Sequence, residues 1–156
     1  MPAHEQLIET FAINNRTNLY LLDAIKEEQL ADVYLGAKGR NVGKQWAHLH
    51  DVRMMWLKAA APDLLTGLVK LTDEEALKKE AIKNTLIKSG KAIELLFQQA
   101  AATGKIKGFK PHATVFPGYL LAHEAHHRGQ IMITLKQNSH MVEKKVQFGI
   151  WEWGVR

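Results

Sequence analysis

Residues 123–130 read His-Glu-Ala-His-His-Arg-Gly-Gln, and here the chain concentrates groups able to do chemistry. On a helix, His123 and His127 share one face a turn apart, with about 5–6 Å between their Cβ atoms. That separation lets two imidazole nitrogens converge on one metal ion at about 2.0–2.1 Å each. Tyr119, Gln130 and Thr134 fall on the same stripe, so the face is polar where a packing face would be apolar. A lone histidine here would read as a surface residue, or as a core residue satisfied by a carbonyl. An i, i+4 pair beside Gln and Thr reads instead as a metal site. His126 lies about 100° around the helix from His127 and is a poor ligand for the same ion.

Two histidines alone rarely hold a catalytic ion, so a third ligand must come from another element. The chain has no cysteine, which leaves nitrogen and oxygen donors and excludes disulfides and a cysteine nucleophile. The candidates are His48 and His50, about 200° apart on a helix, so that only one can face the site. Lys44, Asp51 and Lys58 mark a solvated edge that lies slightly farther from His50, and bare periodicity leans toward His50. A rival reading takes His123-Glu124-Ala125-His126-His127 as the HExxH helix of a zinc protease, with Glu124 as general base and Glu152 as a carboxylate third ligand. Against it, no HxxGxxH continuation follows and no clear strand is present to bind an extended peptide. The plain alternative for Glu124 is a surface ion pair with Arg128 at i+4.

Ala47-His48-Leu49 followed by Asp51, taken together with His123-x-x-x-His127-Arg128-Gly129-Gln130-Ile131, resembles the DinB/YfiT family of bacterial metal-binding proteins. The similarity extends over essentially the whole chain, including Asn18 with Leu21-Leu22 near the start and Trp151-Glu152-Trp153 at the end. The resemblance implies a three-histidine site, with one ligand from the second helix and the HxxxH pair from the fourth. Its helix-two pattern, a histidine before an aliphatic residue with aspartate three positions on, selects His48 and leaves His50 as an extra. Many members carry a tryptophan on helix one where this chain has Arg16, so a shared substrate pocket does not follow.

Three neutral histidines leave an open coordination position. Zinc or nickel there would polarise an oxygen or sulfur ligand and bring hydrolysis within reach. The resemblance adds a second chemistry, thiol-dependent transfer, in which a low-molecular-weight thiol is the nucleophile; a chain without its own cysteine suits this. The expectation is a metal-dependent enzyme, hydrolase or thiol S-transferase, acting on a small molecule, with Asn18, Gln130 and Trp153 around the open position. The alternative is a non-enzymatic, metal-stabilised helical protein with a protein or DNA partner. A structural zinc site of that kind is closed by four protein ligands, whereas three histidines converge here.

The elements that must position these groups are helical. Ile8, Phe11, Asn15, Asn18, Leu22 and Ile25 recur at spacings of three and four and predict a first helix over about 5–27, with two asparagines on its inner stripe. Those amides either hydrogen-bond inside the protein or face a wet pocket. A second helix is predicted over about 42–60, stopped by Pro62 and apolar on most sides. Thr72 and Glu75 form a capping box that opens a third helix running to about Thr103, with Gly104 as its stop and Gly90 as a place for a kink. A loop with Gly108, Pro111 and Pro117 leads to the fourth helix, about 118–137. The tail, 141–156, has no clean period. The fold class expected is all-α, an up-down four-helix bundle with a short C-terminal tail, in a single domain over 1–156.

The totals agree with a soluble globular chain: 156 residues, 46% hydrophobic and 24% charged. The net charge of +5 is spread along the sequence, and the cluster Lys105 to Lys110 is short and glycine-broken, which argues against nucleic acid. No stretch reaches the roughly 18 apolar residues of a membrane span, and the start has no signal-peptide pattern, so the expected location is cytoplasmic. Gly118, Ala122, Ala125 and Gly129 make a small-residue stripe beside the histidine face, and Leu121, Met132 and Leu135 make the far side apolar as well. One bundle core cannot cover every face of such a helix, and a homodimer packed through helix four is expected.

Overall fold

The computed structural model describes residues 1–36 and 38–156. Five helices form: α1 (Ala3–Ala24), α2 (Val42–Ala60), α3 (Lys79–Thr103), α4 (Phe116–Gln137) and the short α5 (Lys144–Gly149). No strand occurs among the described residues, where two isolated bridges, Val33 with Asn41 and Ile106 with Phe109, are the only β-type pairings. The helix ends have local causes. The Asn41 side chain accepts from Lys44 N at 2.8 Å to start α2. Pro117 sits in the first turn of α4, where a missing N–H costs nothing, and Gly104 ends α3 in the left-handed region at φ 67°. The Thr72/Glu75 capping box forms, with both reciprocal bonds present, but it opens only the short turn Glu75–Leu77. α3 starts later than the sequence suggested, at Lys79.

α1 lies against α3 and α4, and α2 lies against the same two helices from the opposite corner. Their directions follow from the pairs in contact. Phe11 meets Phe97 and Asp23 meets Lys83, so α1 and α3 are antiparallel. Arg53 reaches Leu86 while Ala60 and Leu96 share a groove, so α2 and α3 are parallel. Gln45 meets His127 and Trp56 meets Phe116, which makes α2 and α4 antiparallel. The order is therefore up, down, down, up, where strict alternation was the simpler expectation. The long connection 61–78 makes this feasible, because at up to about 3.3 Å per residue it can return along the full length of α2, 19 residues or about 28 Å.

The apolar core divides into two clusters. One gathers Leu21, Trp46, Leu49, Leu86 and Ile131, and the other gathers Phe11, Leu57, Ile93, Phe97 and Phe116. Between them lies a band of buried polar side chains contributed by all four long helices. Gly90 is part of the reason this band can close: a Cβ there would overlap the Asn15 side chain, and α3 passes through Gly90 as one continuous helix.

Candidate metal centre and its buried support

His48 on α2 and His123 and His127 on α4 bring one nitrogen each within 4.8 Å of one another. The ring centroids of His48 stand 5.4 Å from His123 and 4.7 Å from His127. Nε2 of His123 and Nε2 of His127 face each other at 3.1 Å. Gln45, one turn before His48 on α2, accepts from His127 Nδ1 at 2.7 Å, which leaves the Nε2 lone pair of His127 directed into the group. Two unprotonated ring nitrogens at such a distance repel unless a proton or a cation stands between them. A pair each about 2.1 Å from a shared ion fits the observed spacing, so the donor set suits a divalent metal.

The protonation states agree. Burial, then the neighbouring His123, His48, His126 and Arg40, push His127 down to about 4. Burial followed by Arg40 and His123 lowers His48, and burial lowers His123 against the raising effect of Glu124. Neutral imidazoles at pH 7 are the form a metal requires.

His50 is buried but faces away, with Nε2 on the Val69 carbonyl at 2.8 Å. The lean of the helical wheel toward His50 fails for a physical reason. α2 is covered on several sides, so its solvated edge is no guide to where the site lies, and burial of a histidine is not the same as facing the metal. His126 is exposed and stays outside the group, beside Gln130 at 3.5 Å. Gln130 is itself exposed, and Trp153 lines a cavity on another flank of α4. Asn18 is fully buried and lies in the polar band.

Glu124 is the centre of that band. It is 1% exposed, and both oxygens are engaged: Arg53 donates to Oε1 at 2.7 Å and to Oε2 at 2.9 Å, while Asn14 and Asn18 donate to Oε2 at 2.6 and 2.7 Å. Burial alone would raise its carboxyl pKa; the charge and hydrogen bonds of Arg53, the Asn18 amide and the charge of Arg128 outweigh burial and hold it below the usual value. The surface pair with Arg128, the plain alternative for Glu124, gives way to a buried one with Arg53. Arg53 also donates to the Leu86 carbonyl at 2.9 Å, Ser89 Oγ at 3.2 Å and Asn15 Oδ1 at 2.9 Å, so every N–H of its guanidinium has an acceptor. Arg128 Nη1 donates to Asn14 Oδ1 and Asn18 Oδ1 at 2.7 and 2.6 Å. The asparagines of α1 are thus satisfied interior amides.

This arrangement removes Glu124 as a general base, since its lone pairs are spent on four donors behind the histidines. Glu152, expected as a carboxylate ligand in the protease reading, is largely exposed and near Arg156 at 3.7 Å, outside the histidine group. The supporting residues Gln45, Arg53 and Asn14 were not singled out from the sequence. The available signal was Arg53 itself, a charge in line with Trp46, Leu49 and Leu57 on an otherwise apolar stripe. A charge there needs a buried carboxylate opposite, and Glu124 is the one on the histidine helix.

No curated protein and no solved structure matches the chain. The model of the DinB family matches residues 1–144, a span that contains all three histidines and the whole buried band. On that match, the chain belongs to the DinB family.

Proposed function

We propose that His48, His123 and His127 hold one divalent ion, zinc or nickel, and that the protein is a metal-dependent enzyme acting on a small molecule by hydrolysis or by transfer to a low-molecular-weight thiol. The observation that carries this reading is the convergence of the three histidine nitrogens within 4.8 Å, with Gln45 fixing the tautomer of His127. An ion held there supplies Lewis acidity to an oxygen or sulfur ligand at its open position. Gln45 orients His127, and the Glu124–Arg53 pair pins α4 to α2 at the level of the ligands. No fourth histidine or carboxylate joins the group among the described residues, which favours an open site over the closed one of a purely structural ion.

Elemental analysis after metal loading tests the site. About one ion per chain is expected for the wild type and for His50→Ala, and little for His48→Ala and His127→Ala. Equal metal in all four proteins would end the proposal. For the reaction, esters, amides and electrophiles screened with and without added thiols are expected to give activity that disappears on chelation and returns with metal.

The proposal includes a homodimer. Ile133, Met141, Phe148 and Trp151 are exposed apolar side chains on α4 and the tail, at 47%, 57%, 70% and 78%, and pairing two copies across them would cover that surface.

A further inference from the structure

The buried polar band does not balance. Among the side chains that are at least nine-tenths buried it holds two guanidiniums, Arg53 and Arg128, against one carboxylate, Glu124. Arg53 faces Glu124 directly, so the surplus charge rests on Arg128. Arg128 is 9% exposed, and only its Nη1 is bonded, to two neutral asparagine oxygens. Its Nε and Nη2 make no hydrogen bond among the described residues and are not sealed from solvent. Arg128 lines a cavity of about 390 Å³ between α1, α4 and the C-terminal tail.

The rest of that cavity is apolar. Ala122, Ala125 and Gly129 form a low floor, and Ile150, Trp151 and Trp153 from the tail stand over it. At 100° per residue, Ala125 is about 200° from His123 and Gly129 about 200° from His127, so the cavity opens on the opposite flank of α4 from the histidines. The small residues have a use here: nothing lies within 4 Å of a Cβ added at Gly129, which leaves open space beside the helix. A guanidinium that shares one carboxylate with Arg53 and has two nitrogens free of hydrogen bonds, in the lining of an apolar cavity of ligand size, selects an anion with an apolar body. A carboxylate matches the planar Nε/Nη2 edge with two parallel charge-assisted bonds.

We infer that this cavity is a second binding site, separate from the histidine centre, for a monocarboxylic acid with an aryl-sized apolar body, held by Arg128 and packed against Trp151 and Trp153. The site does not depend on the metal reading.

Titration calorimetry with 3-phenylpropanoate and with its neutral amide tests it. Saturable binding of one acid per chain is expected, with the amide weaker by roughly tenfold or more because it cannot satisfy the charge. Gly129→Leu fills the cavity without touching the buried band and is expected to abolish binding while leaving metal content unchanged; Arg128→Met is expected to abolish it as well. His127→Ala is expected to bind the acid as wild type does. Equal binding of acid and amide, survival of binding in Gly129→Leu, or binding that follows metal content across these variants would each overturn the inference. So would a Gly129→Leu protein that changes oligomeric mass while wild type takes up no acid, since the face would then belong to a second copy.

Discussion

If the proposed ion binds, protons and metal compete for the same nitrogens in this site, and His127 is biased against protons. Its pKa is lowered from 6.5 to about 4 in the folded protein, so between those values the unfolded chain takes up a proton that the native state refuses. The sign follows: metal-free protein loses stability as pH falls from about 6.5 toward 4, and gains nothing further from this group above 6.5. The same bias protects the metal. Because all three histidines are shifted toward the neutral form, the proposed ion is expected to be retained to lower pH than three histidines of ordinary pKa would retain it. Dialysis at stepped pH followed by elemental analysis measures this, and release centred on pH 6.5 would contradict the buried, Gln45-held geometry. That His123 and His127 share one face of α4 was legible from spacing alone. His48 against His50 was not, because the choice depends on which side of α2 faces α4, and the family pattern carried what the wheel could not. Glu124 was misread for a related reason: its nearest charged neighbour in sequence is Arg128, while its partner in space is Arg53 on another helix.

Among the helices, α3 shows how packing overrules intrinsic preference. Gly90 costs about 1 kcal/mol relative to alanine in a helix interior, so Gly90→Ala ought to stabilise on propensity alone. In the fold the added methyl would strike the Asn15 amide, which accepts from Arg53 Nη2 and donates to the Leu86 carbonyl. Displacing Asn15 costs about 1–3 kcal/mol in overpacking and leaves a buried guanidinium N–H without its acceptor. Urea unfolding of Gly90→Ala is expected to show a net loss of about 1–2 kcal/mol; a gain would mean that Asn15 can move freely. The four long helices and the Gly104 stop were readable from periodicity and breakers. The capping box misled about the start of α3, because a cap marks the beginning of a turn and cannot show whether the turn propagates. The tail had no period to read, since α5 has six residues and takes its position from α1: a Cβ at Gly149 would overlap the Tyr20 ring.

For the whole molecule, the two-fold dimer rested partly on apolar residues that the bundle turns out to use itself. Leu135 is fully buried in the core, and Leu121 and Met132 are half-buried in the wall of the cavity. What stays exposed lies farther along, on Phe148, Trp151, Met141 and Ile133. Sedimentation equilibrium at micromolar concentration is expected to give the mass of two chains, and Phe148→Ser together with Met141→Ser is expected to return it to one. A single-chain mass for the unaltered protein would remove the dimer from the proposal. No helix of the described residues is long and apolar enough to cross a membrane.

The up-down-down-up order also decides how late the centre of the protein can form. Asn14 and Asn18 reach Glu124 and Arg128 across 106 to 114 residues of chain, and Arg53 reaches Glu124 across 71. Adjacent helices that are distant in sequence cannot dock as local hairpins, so α4 must reach α2 before Glu124 meets Arg53, and must reach α1 before Arg128 finds its asparagine acceptors. The folding nucleus is then expected among α2, α3 and the connection between them, with α1 and α4 closing last over the polar band. Asn18→Ala should accordingly speed unfolding by most of its loss in stability and leave the refolding rate in stopped-flow experiments nearly unchanged. A matching slowdown in refolding would place the band in the nucleus instead. With the histidines assembled only at that final docking, capture of the proposed ion would be the last event of folding, and a chain halted before it would be rich in helix yet without a place for the ion.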